Sequence, residues 1–279
     1  MEKRKRMSDE EIEAFAQTSK IGIVATVDPR DSVHITLLTS ILARNESELL
    51  IGEFSRGASK EHMKINQKIG FFILSISRKF WRGKASWHER KTQGEEYDAF
   101  SSTPLFNGML RVSAVHYLGL EEISGPEYLP MVKIFLAYLI TAFHRRLIPG
   151  KKKEEVLRPF IVQMINRLSS LSFLSYIDAD GFPRIIPVAQ CQAFDSSTLI
   201  FSHVAYRSEL AKIQDGTEVA VFSMNPSMES VLVRGVFTGA KRKGIFGMCR
   251  VDIDWVYNSM LPVHGQVYPR VPYEAVTNF

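Results

Sequence analysis

Ile21-Gly-Ile-Val-Ala-Thr-Val-Asp28 and Ser172-Phe-Leu-Ser-Tyr-Ile-Asp178 are two β-rich runs whose closing Asp residues stand 150 positions apart (178 − 28). Each leads into turn residues, Pro29-Arg30-Asp31 or Ala179-Asp180-Gly181, and the Asp-Gly pair is a strong hairpin signal. A second β run follows in each case, His34 to Ile41 or Arg184 to Gln190. The parallel continues outward. Leu49-Leu-Ile-Gly52 matches Leu199-Ile-Phe-Ser202, and a short polar helix follows, Ser59 to Ile65 or Ser208 to Ile213. Then come Gly70 to Leu74 beside Val219 to Phe222, and Trp81-Arg82-Gly83 beside Val233-Arg234-Gly235. One order of landmarks at nearly one offset predicts a doubled β-domain.

Short β runs separated by turn residues suit barrels or sandwiches rather than a doubly wound parallel sheet. The Gly after Arg82 and Arg234 falls inside a strand pattern, where it marks a bulge or barrel corner. The expected fold is mainly β with helices (α+β), as two tandem split β-barrels joined by a helical connector. The expected domains are 1–127, a connector over 128–170, and 171–279. Ser8-Asp-Glu-Glu11 reads as a capping box that opens a helix with Ile12, Phe15 and Ala16 on one face. Thr92-Gln-Gly-Glu95 reads as a second cap. Connector helices are expected over about Glu127–Arg146 and from Pro159, with Pro149-Gly150 and Lys151-Lys152-Lys153 between them.

The chain has 279 residues, 45% of them hydrophobic and 23% charged, which excludes a disordered or fibrous protein. Cys191 and Cys249 make no CxxC pair or disulfide framework and read as buried packing in a reducing compartment. Lys+Arg exceed Asp+Glu by 35 − 30 = 5, in short runs such as Lys3-Arg4-Lys5-Arg6. These read as solvated charge, and without an aromatic-interleaved stripe they imply no nucleic acid. No apolar core follows the basic N-terminus, so no secretory signal is read and a cytoplasmic location is expected. The longest apolar stretch, Leu129 to Phe143, is interrupted by Pro130 and Lys133 and falls short of the ~20 residues of a membrane span. It reads as a buried or partner-facing helix, with a homodimer surface as one option. An interfacial membrane helix ending in His144-Arg145-Arg146 is the other.

GxGxxG after a strand, GxxxxGK[ST], HExxH and GxSxG are all missing from the sequence. What remains is Leu49-Leu-Ile-Gly-Glu-Phe-Ser-Arg-Gly-Ala-Ser-Lys-Glu-His62, a strand running through a Gly-containing loop into a helix. Helix N-termini attract anions, and Ser59 and Lys60 add a hydroxyl and a cation, with Arg56 near by. The alternative is an ordinary helix cap with a solvated lysine.

The order β–turn–β–β–(Gly, Ser/Lys)–helix–β–β–Gly, carried by "ATVDPRDSVHITLLTSI", "LLIGEFSRGASKEHMKINQKIGFFIL" and "WRGKAS", resembles the pyridoxamine 5′-phosphate oxidase-like, FMN-binding split-barrel superfamily. The match covers about Ile21–Ala85, with a weaker copy over about Phe173–Phe237. The resemblance implies that Thr36, Leu37, Leu38, Thr39 and Ser40 lie along the flavin ring and ribityl chain. It implies that Ser59 and Lys60 grip the FMN phosphate and that Gly52 and Glu53 line the approach. Pyridoxamine phosphate oxidases proper carry an Arg at the position of Thr36 and a basic pair at Ser59-Lys60, so another function within the superfamily is implied. The expected function is an FMN-binding flavoprotein and oxidoreductase with a small-molecule substrate or electron donor. The alternative is a non-catalytic flavin- or haem-binding or interaction protein on the same fold. The second copy, with Tyr206-Arg207-Ser208, reads as a degenerate site. Asp254–Pro269 reads as a tail over the barrel or as a flavin cover using Trp255, Tyr257, Asn258 or His264.

Overall fold

The first Asp turn does make a hairpin. β1 (Lys20–Val27) pairs antiparallel with β2 (Val33–Leu37), Val24 opposite Thr36. Asp28 closes the turn, its N–H donating to the Ser32 carbonyl at 2.9 Å and its Oδ1 accepting from the amides of Arg30 and Ser32. In the computed structural model, which describes residues 3–54, 57–102, 112–147, 155–240, 244, 246–259 and 265–271, two such hairpins each begin an antiparallel sheet. The chain divides into two compact units, Met1–Leu129 with Ser175–Ile185, and Pro130–Leu174 with Ile186–Phe279.

The first sheet adds β3 (Ile41–Asn45), β4 (Glu48–Glu53), β5 (Lys68–Ser75), β6 (Lys79–Lys91) and β7 (Ala114–Tyr128). Its strand order is β2-β1-β5-β6-β7-β4-β3. β2 and β3 are neighbours in the chain and yet stand at opposite ends of this order. Only Leu38, Thr39 and Ser40 separate them, so the sheet must curl until its two ends approach. The ends are not paired, and the sheet stays open. The sequence reads His34–Ile41 as one strand. The structure breaks it at Leu38, whose amide donates to the Gly22 carbonyl at 2.7 Å, and β3 starts after a turn.

The second sheet is built from β8 (Leu171–Ile177), β9 (Pro183–Pro187), β10 (Gln192–Asp195), β11 (Thr198–Ser202), β12 (Glu218–Met224), β13 (Ser230–Thr238) and β14 (Met248–Asn258). Its order, β9-β8-β12-β13-β14-β11-β10, is that of the first sheet strand for strand. The turns repeat as well. Val188 donates to Ser172 O at 2.7 Å, as Leu38 does to Gly22 O. Ser197 donates its amide and hydroxyl to Asp195 Oδ1, as Ser47 does to Asn45 Oδ1. Arg78 and Met228 both take positive φ, 65° and 64°, in matching turns. The fold is therefore mainly β with helices, in two open sheets of split-barrel type.

Helices cover the sheet faces. α1 (Asp9–Ala16) begins with the expected capping box, both Ser8–Glu11 bonds being present. Its Phe15 is fully buried, edge-on to Phe71 and Trp81 at centroid distances of 6.3 and 5.8 Å, which stabilises by roughly 2–3 kcal/mol. The basic run before it is not free charge. Arg4 forms a two-way backbone bridge with Ile123, and its guanidinium meets the buried Glu11 carboxylate at 2.6 Å. α2 (Ala58–Ile65) lies against β1 and β2. α3 (Glu95–Ser102) is capped by Gly94, φ +112°, rather than by Thr92. The connector helices are α4 (Met131–Leu147) and α5 (Pro159–Ile165), the latter opening on its proline. Glu127 and Tyr128 belong to β7, so α4 starts later than the periodicity predicts. Pro149-Gly150 and Lys151-Lys152-Lys153 lie outside the described residues. Both cysteines are buried, and burial pushes the Cys249 thiol up to about 12.

The seam where the first sheet curls is tight. A Cβ on Gly22 would sit 2.3 Å from the Leu38 carbonyl oxygen, which is backbone and has little room to yield. On Gly119 it would meet nothing nearer than 4.0 Å. Gly22→Ala is expected to lower stability by about 2 kcal/mol or more, and Gly119→Ala to cost nothing or stabilise by about 0.5 kcal/mol. Urea midpoints of the two variants check this.

Candidate functional site

β2 and α2 bring the predicted residues of the first unit to one corner. Thr36 is paired to Val24 on β1, and its hydroxyl is hydrogen-bonded to that of Ser59 in the first turn of α2. Leu37 ends β2, Leu38 is buried in the core, and Thr39 is half-buried in the turn. Ser40 and Gly52 clasp each other, with Ser40 Oγ donating to Gly52 O at 2.8 Å and the Gly52 amide reaching Ser40 O at 3.4 Å. Glu53 closes β4. Arg56 lies outside the described residues.

Lys60 decides the electrostatics. The residue is only 5% exposed, so it is not a solvated lysine on an ordinary cap. α2 is capped by Gly57 with no side-chain acceptor, and a Cβ on Gly57 would lie 3.8 Å from Lys60 Nζ. The ammonium therefore sits over the N-terminal end of the helix. That end already carries partial positive charge, and acidic groups are what normally stabilise it. Burial lowers the Lys60 pKa, and the Glu53 carboxylate opposes the shift.

Glu53 belongs to a buried chain that the motif reading missed. The Trp87 indole, a donor only, gives its N–H to His116 Nδ1 at 3.0 Å. Nδ1 must then be an acceptor, and Nε2 carries the proton. That Nε2–H faces Glu53 Oε2 at 3.0 Å, and Arg90 Nε reaches the same oxygen at 2.9 Å. Burial pushes the Glu53 carboxyl up, but the hydrogen bonds from Arg90 and His116 outweigh it and hold the group below its ordinary 4.5. His116 is fully buried, and desolvation depresses its pKa below 6.5 despite Glu53. One turn further along α2, His62 Nδ1 lies 3.3 Å from Thr26 Oγ1, with the His34 ring 5.2 Å away and edge-on. No local motif announces these residues. Trp87 and Arg90 come from β6 and His116 from β7, and His116, a fully buried polar residue in an apolar strand run, is the one that stands out in the sequence.

The second sheet places its counterpart differently. α6 (Arg207–Leu210) is a single turn, and Arg207 and Ser208 are exposed where Ser59 and Lys60 are buried. The described residues of the segment read as a C-terminal tail are largely sheet. Asp254–Asn258 belong to β14, and β15 (Gly265–Tyr268) pairs back onto it. Trp255 and Tyr257 stack at 5.5 Å, with the Arg234 guanidinium 4.3 Å from the Trp255 ring centre. His264 lies outside the described residues.

Several solved structures match the chain over part of its length. HupZ of Group A Streptococcus matches with 22% identity and a TM-score of 0.36, over 42% of this chain and 92% of that one. A Lactobacillus delbrueckii protein, provisionally described as a pyridoxamine 5′-phosphate oxidase, matches at 19% and 0.37, over 45% and 100%. An FMN-binding protein of Syntrophomonas wolfei matches at 16% and 0.34, over 41% and 85%. No family model matches the chain, and no curated protein matches it. At such identities function has to be argued from the residues.

Both perturbed groups make the unit acid-sensitive. Below pH 6.5 an unfolded His116 takes up a proton that the folded one refuses, and below 4.5 the same holds for Glu53. The unfolded state binds more protons in both windows, so stability falls as pH falls, first from about 6.5 and again from about 4.5. Long-range 1H–15N imidazole spectra at neutral pH are expected to show His116 as the neutral Nε2–H tautomer. Trp87→Phe removes the donor to Nδ1 and is expected to leave that tautomer in place, because the ionised Glu53 carboxylate still requires a donor at Nε2.

Proposed function

We propose that the first unit binds FMN, that Lys60, Ser59 and Thr36 hold its phosphate, and that the protein is a flavin-dependent oxidoreductase. A buried ammonium set over the positive end of α2 carries this reading, because two positive features share one corner and an anion offsets both. The donor set suits a phosphate in kind. The FMN phosphate offers only acceptor oxygens, and the corner offers an ammonium, the first-turn amides of α2 and, from the hydrogen-bonded Thr36–Ser59 pair, one hydroxyl proton. Lys60 loses solvation by burial, and a phosphate beside it raises its pKa again. Leu37, Leu38, Thr39, Ser40, Gly52 and Glu53 would flank the rest of the cofactor. Bound flavin would supply hydride or electron transfer, to a small-molecule substrate or from an electron donor.

Within this reading, residues 1–127 form the flavin-binding domain, 128–170 a connector, and 171–279 a second barrel with a degenerate site, the pair arising by internal duplication. The shared strand order and the turn hydrogen bonds repeated 150 residues on support the duplication. A second reading, flavin or haem binding without turnover, draws on a different observation. Glu53 and His116 already spend their hydrogen bonds on each other and on Arg90 and Trp87, which suits a scaffold better than a proton donor.

Titration of the purified full chain with FMN, followed by flavin fluorescence, tests the first reading. Lys60→Ala is expected to weaken binding by about 10- to 100-fold, the worth of a hydrogen bond to a charged group, and Arg207→Ala to leave it unchanged. Equal losses, or a folded protein without micromolar FMN affinity, would falsify the assignment. Reduction of the bound flavin by a nicotinamide donor separates the oxidoreductase from the binding protein.

A further inference from the structure

α4 turns its apolar side outward. Ile134, Ala137 and Thr141 are its buried face, packed on β10 and β11, with the Thr141 hydroxyl accepting from the Ser202 amide at 3.0 Å. On the opposite side Val132, Phe135, Leu136, Leu139 and Phe143 follow one another at helical spacing, and they are 84%, 52%, 44%, 48% and 59% exposed. Met131 and Leu147 extend the stripe at its two ends. A polar outer face is the norm for a surface helix, and a continuous apolar one marks an interaction surface.

The charge around the stripe points to the occupant. From Tyr128 to Lys153 the sequence holds Lys133, Arg145, Arg146, Lys151, Lys152 and Lys153 and no Asp or Glu. Lys151–Lys153 lie outside the described residues and enter only as charge in the sequence. Within α4 itself, Lys133, Arg145 and Arg146 are set against no Asp or Glu, so the helix that carries the apolar stripe is also a cationic one. A second copy seated on the stripe would set Lys133, His144, Arg145 and Arg146 against the same groups, with no carboxylate in either helix to pair them. A surface both apolar and anionic satisfies the two features together.

We propose that α4 docks on an anionic lipid bilayer. Val132, Phe135, Leu136, Leu139 and Phe143 enter the headgroup–acyl boundary, and Lys133, Arg145 and Arg146 lie among the lipid phosphates. The helix has 17 residues, and no described helix is long and apolar enough to cross a membrane, so it lies in the interface plane.

Co-sedimentation of the full chain with phosphatidylcholine vesicles containing about 30% phosphatidylglycerol tests this against vesicles of phosphatidylcholine alone. The bound fraction is expected to be at least about fivefold higher on the anionic vesicles and to fall as salt is raised. Phe135→Asp/Leu139→Asp is expected to lose at least about tenfold, and Arg145→Glu/Arg146→Glu to lose the preference for anionic lipid. All these side chains are exposed or half-buried, and circular dichroism of each variant confirms that it folds. The proposal is overturned by absence of binding to the anionic vesicles, or by undiminished binding of the Asp variant. It is equally overturned if the wild-type chain forms a dimer that the Asp variant dissolves while vesicle binding is nil, which assigns the stripe to a second copy.

Discussion

The short link between β2 and β3 governs the first unit. Three residues join the two ends of a seven-strand order, and the Leu38 amide bonded to the Gly22 carbonyl fixes where the turn begins. A flat sheet cannot satisfy that link, because its end strands would stand about six strand spacings, close to 30 Å, apart. The sheet has to curl, and curling brings Thr36 at the end of β2 beside α2, while the clasp of Ser40 on Gly52 ties the turn to β4. The second sheet obeys the same rule with a different clasp, Gln190 Nε2 donating to Ser202 O at 2.9 Å where Ser40 serves in the first.

Curling also sets the polar chemistry. Strands β4, β6 and β7 are adjacent, so Glu53, Trp87, Arg90 and His116 meet although their positions span more than sixty residues. Each polar atom in the chain has an assigned direction, since the indole can only donate and the carboxylate only accepts. Such a network holds its geometry rigidly, because losing any one member leaves a buried partner unsatisfied. Lys60 stands at its edge, where burial lowers its pKa and the Glu53 carboxylate only partly opposes the shift.

The β runs, their turns and the doubling are legible in the chain because each rests on local chemistry. Asp28 and Asp178 close turns with their own side chains, and Ser8 caps α1 with Glu11 as the capping pattern requires. Misreadings fall where distant contacts override local signals. The shift of the α3 cap from Thr92 to Gly94 is the local exception, made by the backbone that glycine allows. Arg4, read as terminal charge, is taken up by Glu11 and by the backbone of Ile123, and Asp254–Asn258, irregular in composition, are held in β14 by pairing with β13.

The sequence by itself determined the two sheets, the strand-to-helix corner and the identity of Ser59 and Lys60 as its polar residues, while the bond from Thr36 to Ser59 came with the structure. Hydrophobic periodicity, turn residues and caps act over a few positions and can be read without coordinates. Only the tertiary structure decided that Lys60 is buried over the helix terminus, that His116 and Arg90 bind Glu53, and that α4 turns its apolar stripe outward. Burial and side-chain pairing depend on which strands become neighbours, and that choice is made by closure of the whole sheet rather than by any short stretch of chain.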